Sequence, residues 1–84
     1  MTELLAPARP VRARVDGDGM PTHLESAAGW QRVTRVLNRW RIECDWWRRP
    51  VSREYWRLLL DDDLAIECYC DRVSAEWFIE RVYD

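Results

Sequence analysis

Apolar and polar positions alternate along much of this chain, and arginine often fills the polar slot. Val11-Arg12-Ala13-Arg14-Val15 has the period-two pattern of a half-exposed strand. Asp16-Gly17-Asp18-Gly19 follows, and an Asp-Gly pair between alternating runs is a strong hairpin signal, so a second strand over about Pro21 to Glu25 should pair back on the first. Ala27-Ala28-Gly29 supplies the next reversal. From Trp30 to Ile42 two periodicities compete. Val33, Val36, Leu37 and Trp40 stand at i, i+3, i+4 and i+7, as on one face of a helix. The β-branched and aromatic content, and Arg39-Trp40-Arg41-Ile42, favour extended chain, read here as two short strands with a bend near Leu37-Asn38.

Asp45 to Pro50 reads as a loop, because Pro50 lacks a backbone donor and biases its predecessor away from helix. Ser52 to Leu60 is a strand with Tyr55, Arg57 and Leu59 on one face and Trp56, Leu58 and Leu60 on the other. Asp61-Asp62-Asp63 makes a turn, Leu64 to Cys70 a strand, Asp71 to Ala75 a turn and Glu76 to Tyr83 a last strand. Residues 1–9 carry proline and no periodicity and read as a flexible arm ahead of one domain over residues 10–84. The expected class is mainly β, a small antiparallel meander of about five or six strands curled into a barrel or half-barrel.

Composition sharpens this picture. At 84 residues the chain is near the lower limit for a single hydrophobic core. Its six tryptophans, each able to bury roughly 150–250 Å², are read as interior filler that offsets the short length. A formal charge of −2 argues against general polyanion binding. All thirteen basic residues are arginine, which codon bias alone could produce, although arginine also lies on aromatic faces and forks onto carboxylates and phosphates better than lysine. The odd count of three cysteines, with Cys68 and Cys70 on one strand face where a direct bridge is disfavoured, suits a reducing cytoplasm. Met1 to Ala6 lacks a basic leader, and no run approaches the roughly 18 apolar residues of a membrane helix.

Chemistry-bearing motifs are few. His23 is the single histidine, no glycine-rich phosphate loop is present, and Glu43, Asp45 and Glu54 are as well suited to salt bridges as to acid–base work. Cys44, Cys68, Cys70 and His23 lack the usual ligand spacing for zinc. The expectation is no catalysis, no metal and no cofactor. The candidate interaction surface is Trp46, Trp47, Arg48 and Arg49, joined by Arg39, Arg41, Arg53 and Arg57. Adjacent rings in extended chain point to opposite faces, so one of Trp46 and Trp47 could stay outside and stack with a neighbouring arginine, or fold over a sheet edge and protect it. Arg12, Arg14, Arg32 and Arg35 could share one solvent face with Arg39, Arg41, Arg53 and Arg57, paired to acidic residues across strands.

Four segments carry a resemblance. Asn38-Arg39-Trp40-Arg41, Trp46-Trp47-Arg48-Arg49-Pro50, Arg53-Glu54-Tyr55-Trp56-Arg57-Leu58-Leu59-Leu60-Asp61-Asp62 and Trp77-Phe78-Ile79-Glu80-Arg81-Val82-Tyr83-Asp84 resemble the small bacterial domain family DUF6504, over about Arg9 to Asp84. Similar segments end ImuB-type Y-family polymerase-like proteins, so the resemblance implies a bacterial cytoplasmic module linked to DNA-damage tolerance through translesion synthesis. Members usually have glycine in the turns where this chain has Asp61-Asp62-Asp63 and Ser74-Ala75-Glu76, so both reversals should be looser here. The role expected is a non-catalytic accessory domain that docks onto a protein partner. The alternative is a nucleic-acid-binding small barrel using exposed tryptophan and arginine, and unpaired strand edges leave room for a homodimer.

Overall fold

The computed structural model describes residues 2–26, 29–46 and 49–83, and within them every regular element is a strand. They are β1 (Thr2–Val11), β2 (Ala13–Val15), β3 (Pro21–Ser26), β4 (Gly29–Trp46), β5 (Arg49–Leu60), β6 (Ala65–Asp71) and β7 (Glu76–Tyr83). The mainly-β class holds, with seven strands rather than five or six, all paired antiparallel in one sheet of order β1-β7-β6-β5-β4-β3-β2. Residues 2–9, expected as an arm, run instead in β1: Thr2 to Leu4 pair with Tyr83 to Arg81, and Arg9 to Val11 with Ile79 to Trp77. A long-range partner orders a segment whose own pattern is weak.

The sheet is not closed into a barrel. Its end strands β1 and β2 are nonetheless consecutive in the chain, separated by Arg12 alone, whose carbonyl accepts a hydrogen bond from Glu25 N at 2.9 Å. Seven strands laid flat would span roughly 29 Å at their usual spacing. Yet Leu24 of β3 joins Trp56, Leu58, Leu60, Ile66, Cys68 and Ile79 in one buried cluster, with Leu5, Val11 and Ala13 of β1 and β2 packed against it. The two ends of the sheet therefore curl over one inner face.

Alternation holds along β5, where Trp56, Leu58 and Leu60 enter the core as expected. In β4 it is interrupted twice. Register shifts between Val33 and Arg35 and between Val36 and Asn38 make Thr34 and Leu37 bulge residues, so that Val33, Val36 and Arg39, three apart, all share the inner side with Leu60, Leu58 and Trp56. The helix-like spacing is thus the mark of two bulges in one long strand, the second at the expected bend. A third shift leaves Glu80 unpaired and carries β7 from inward Trp77 and Ile79 to inward Val82.

Of the tryptophans with described side chains, only Trp56 is fully buried, at 2% exposure, whereas Trp30, Trp40 and Trp77 are half-buried. The interior is thus largely aliphatic, not tryptophan-filled. Arg14 lies over Trp30 with its guanidinium carbon 4.4 Å from the ring centroid. On the outer face a row of rings crosses four strands. Trp40 stacks on Tyr55 at 5.3 Å, Tyr55 leans on Tyr69 at 5.1 Å, and Tyr69 stacks on Phe78 at 5.1 Å. Such contacts add about 0.5–1.5 kcal/mol each beyond burial, and they leave Tyr55 and Tyr69 buried on a face that alternation alone would assign to solvent.

Asp61-Asp62-Asp63 and Ser74-Ala75-Glu76, expected to be looser reversals, both lie in hydrogen-bonded turns. Asp63 and Ala75 take left-handed conformations, φ 63° and 61°, at the positions glycine would favour. Asp63 N donates to Leu60 O, and Ala75 N to Asp71 O at 2.7 Å, while the Asp71 carboxylate accepts from Val73 N and Ser74 N. These bonds hold the tight geometry without the residue best suited to it.

Candidate functional site

Inner-face alternation carries β4, β5, β6 and β7 past the core to a row of polar positions. Arg41 pairs in register with Glu54, Glu54 with Cys70 and Cys70 with Trp77, one step beyond the row of Arg39, Trp56, Cys68 and Ile79. Leucines stop here and charge begins. Glu54, 12% exposed, is clamped from one side only: Arg39 Nε donates to Oε1, and Arg41 Nε donates to Oε2 at 2.8 Å. Arg39 also lies over the Trp56 ring, 4.5 Å from its centroid. Burial raises the Glu54 carboxyl's proton affinity, but the hydrogen bonds from Arg41 and Arg39 outweigh it and hold the group below the ordinary carboxylate range.

The strand on the other side of Glu54 offers no matching charge. Its neighbour is Cys70, whose thiol burial pushes up and so keeps protonated at neutral pH. A cleft of about 180 Å³ opens there. Arg39, Arg41, Glu54 and Trp56 line one side, Cys70, Arg72 and Trp77 the other, and Gly19 of the β2–β3 turn reaches its edge. Arg72 Nη1 and Arg41 Nη1 reach Glu43 Oε1 at 3.4 and 3.8 Å, so three guanidiniums face two carboxylates around the cleft. The buried Trp56 indole N–H has no hydrogen-bond partner among the described residues. Trp77 also lines a second cleft of about 370 Å³, bounded by Pro10, Val11, Ala13 and Ala75, with Arg12 and Glu76 at its polar parts.

The sequence-derived surface is divided by this geometry. Arg39 and Arg41 share the inner side with Glu54, whereas Arg53 and Arg57 flank Tyr55 on the outer face. One solvent face for all eight arginines is therefore corrected: Arg39 and Arg41 pair in register with inward Trp56 and Glu54, and alternation puts Arg53 and Arg57 on the opposite face. Arg53 covers Tyr69 at 4.5 Å and bonds the Tyr55 hydroxyl at 3.4 Å, and Arg57 bonds Glu67 at 3.0 Å. Trp47 and Arg48, and the side chains of Trp46 and Arg49, lie outside the described residues. Sequence reasoning missed Arg72, Trp77 and Cys70 as cleft residues; their register with Glu54 was the signal, and it required the strand pairing.

Among the described residues no three of His, Cys, Asp and Glu gather as metal ligands, and no helix is long and apolar enough to cross a membrane. Cys68 is fully buried, its thiol pushed up to about 12 by burial with smaller contributions from Cys70 and Glu67, which makes it a poor nucleophile. Compared with family models, curated proteins and solved structures, the chain finds no match, so its likeness to DUF6504 rests on the quoted residues alone.

Proposed function

We propose that this chain is a non-catalytic docking module that holds a protein partner across the two clefts divided by Trp77. The observation that carries the reading is this pair of adjoining clefts, one charged and one largely apolar, sharing a half-buried tryptophan as their common wall. Half-exposed aromatic residues beside arginine are the usual anchors of protein interfaces. The resemblance to DUF6504 supplies the setting, a bacterial cytoplasmic assembly that tolerates damaged DNA.

Two features weigh against a nucleic-acid platform. The outer rings already stack on one another, so Tyr55 and Tyr69 have no free face for a base. Arg39, Arg41, Arg57, Arg72 and Arg81 are each paired to a carboxylate of the same chain, which lowers their gain from phosphate.

A photo-crosslinking residue at Val73, exposed beside Arg72, with a control at exposed Arg35, tests this reading in bacterial lysate. Discrete protein adducts from position 73 that vanish with Trp77→Ala are expected. Adducts at both positions alike, or salt-sensitive quenching by single-stranded oligonucleotide without protein adducts, would overturn it.

A further inference from the structure

We infer that the charged cleft is a carboxylate receptor: it takes an Asp or Glu side chain of the partner, while a neighbouring apolar side chain of the same segment enters the second cleft across Trp77. This rests on the docking reading above and names the chemistry that reading requires.

The arginines have donors to spare. A guanidinium carries five N–H groups in a fixed fork. Arg39 and Arg41 each hold Glu54 through Nε, and Arg41 Nη1 lies 3.8 Å from Glu43, beyond hydrogen-bond length. Arg72 engages Glu43 through Nη1 alone. The terminal nitrogens of all three can therefore serve an incoming acceptor with Glu54 still in place. Trp56 lines the same cleft, so its indole signal reports on occupancy.

Charge and size select among anions. Three guanidiniums against Glu54 and Glu43 leave one excess positive charge, which matches a carboxylate. The fixed Glu54 charge repels any anion, a phosphate near its dianionic form about twice as strongly as a singly charged carboxylate. At about 180 Å³ the charged cleft suits one acidic side chain and falls below the roughly 300–1,000 Å³ of pockets for small-molecule cofactors. The second cleft, bounded by Pro10, Val11, Ala13 and Trp77, provides the apolar half of the motif.

The test uses the full chain in two parts. In an NMR titration, acetate should shift the Arg39 and Arg41 side-chain N–H resonances and the Trp56 and Trp77 indole signals saturably, and more strongly than inorganic phosphate at equal concentration. Random peptides displayed on phage and selected on the chain should carry Asp or Glu beside an apolar residue. A synthetic selected peptide should bind about tenfold or more weakly to Arg72→Gln, an exposed turn position whose loss leaves the core intact, and about tenfold more tightly to Glu54→Gln, which removes the resident negative charge. Phosphate shifting these signals more than acetate, selected peptides without acidic residues, or affinity unmoved by Arg72→Gln overturns the inference. Protein adducts at position 73 together with any of those results would refute the carboxylate chemistry and leave docking standing; acetate binding without adducts would refute docking alone.

Discussion

Two shielded glutamates, half-buried Glu54 and buried Glu67, are built from the same parts and end differently. Each is nearly out of water, with side chains 12% and 8% exposed, and each is held by two arginines. Glu67 sits on the interior strand β6 with one arginine on either side, Arg57 of β5 and Arg81 of β7, in a straight row of register. Tyr83 closes the group, its hydroxyl donating to Oε1 at 3.2 Å beside Arg57 Nη2 at 3.0 Å. Glu54 has both arginines on β4 and faces Cys70 on β6. The flanking strand therefore decides the outcome. A second charge and a phenol make a sealed staple, whereas a protonated thiol leaves a cleft.

The largest expected effect separates these two groups. Glu67→Gln takes the charge from a carboxylate 8% exposed between two arginines 40% and 44% exposed, and should cost about 2 kcal/mol in urea unfolding, below the scale for a fully buried pair. Glu54→Gln, beside an open cleft and solvated arginines, should cost about 1 kcal/mol. Equal costs would mean that the clusters do the same work. Next in size, Cys68→Leu should overpack the filled inner row and destabilise by about 1–3 kcal/mol, while Cys70→Leu should grow into the cleft, change stability by less than about 1 kcal/mol and abolish the acetate-induced shifts.

Acid provides a finer test. The Glu54 carboxyl is held below its ordinary pKa, so its contribution is fully present above that value, about 4.5, and is lost as pH falls through the lower folded value. Wild type and Glu54→Gln should differ in stability at neutral pH and converge in acid below the ordinary carboxylate range. A gap that widens on acidification would reverse the assignment. The smallest effect concerns Ala75, which borders the second cleft at φ 61°. Ala75→Gly should stabilise by about 1 kcal/mol, and more than Asp63→Gly, since aspartate tolerates the left-handed region better.

Much of the fold was legible because β5 alternates strictly enough to sort Trp56, Leu58 and Leu60 from Tyr55, Arg57 and Leu59, and because Asp16-Gly17-Asp18-Gly19 encodes its own turn. There Asp16 Oδ1 accepts from Asp18 N and Met20 N, and Gly19 adopts φ 80°. The site was less legible. Arg39, Arg41 and Glu54 stand out as charged residues, but their opposition to Cys70, Arg72 and Trp77 depends on a register that no local pattern carries.

By itself, then, the sequence determined the strand class, the face of each residue in β5, β6 and the first half of β7, and the position of the first hairpin, all consequences of period-two geometry and local turn chemistry. Tertiary structure alone decided that residues 2–9 join the sheet, that bulges at Thr34, Leu37 and Glu80 reset which side chains face inward, and that Arg39 and Arg41 part company with Arg53 and Arg57. The physical reason is common to all three. A strand's edge, its bulges and its neighbours are satisfied by hydrogen bonds to residues distant in the chain, and only the assembled sheet specifies those partners.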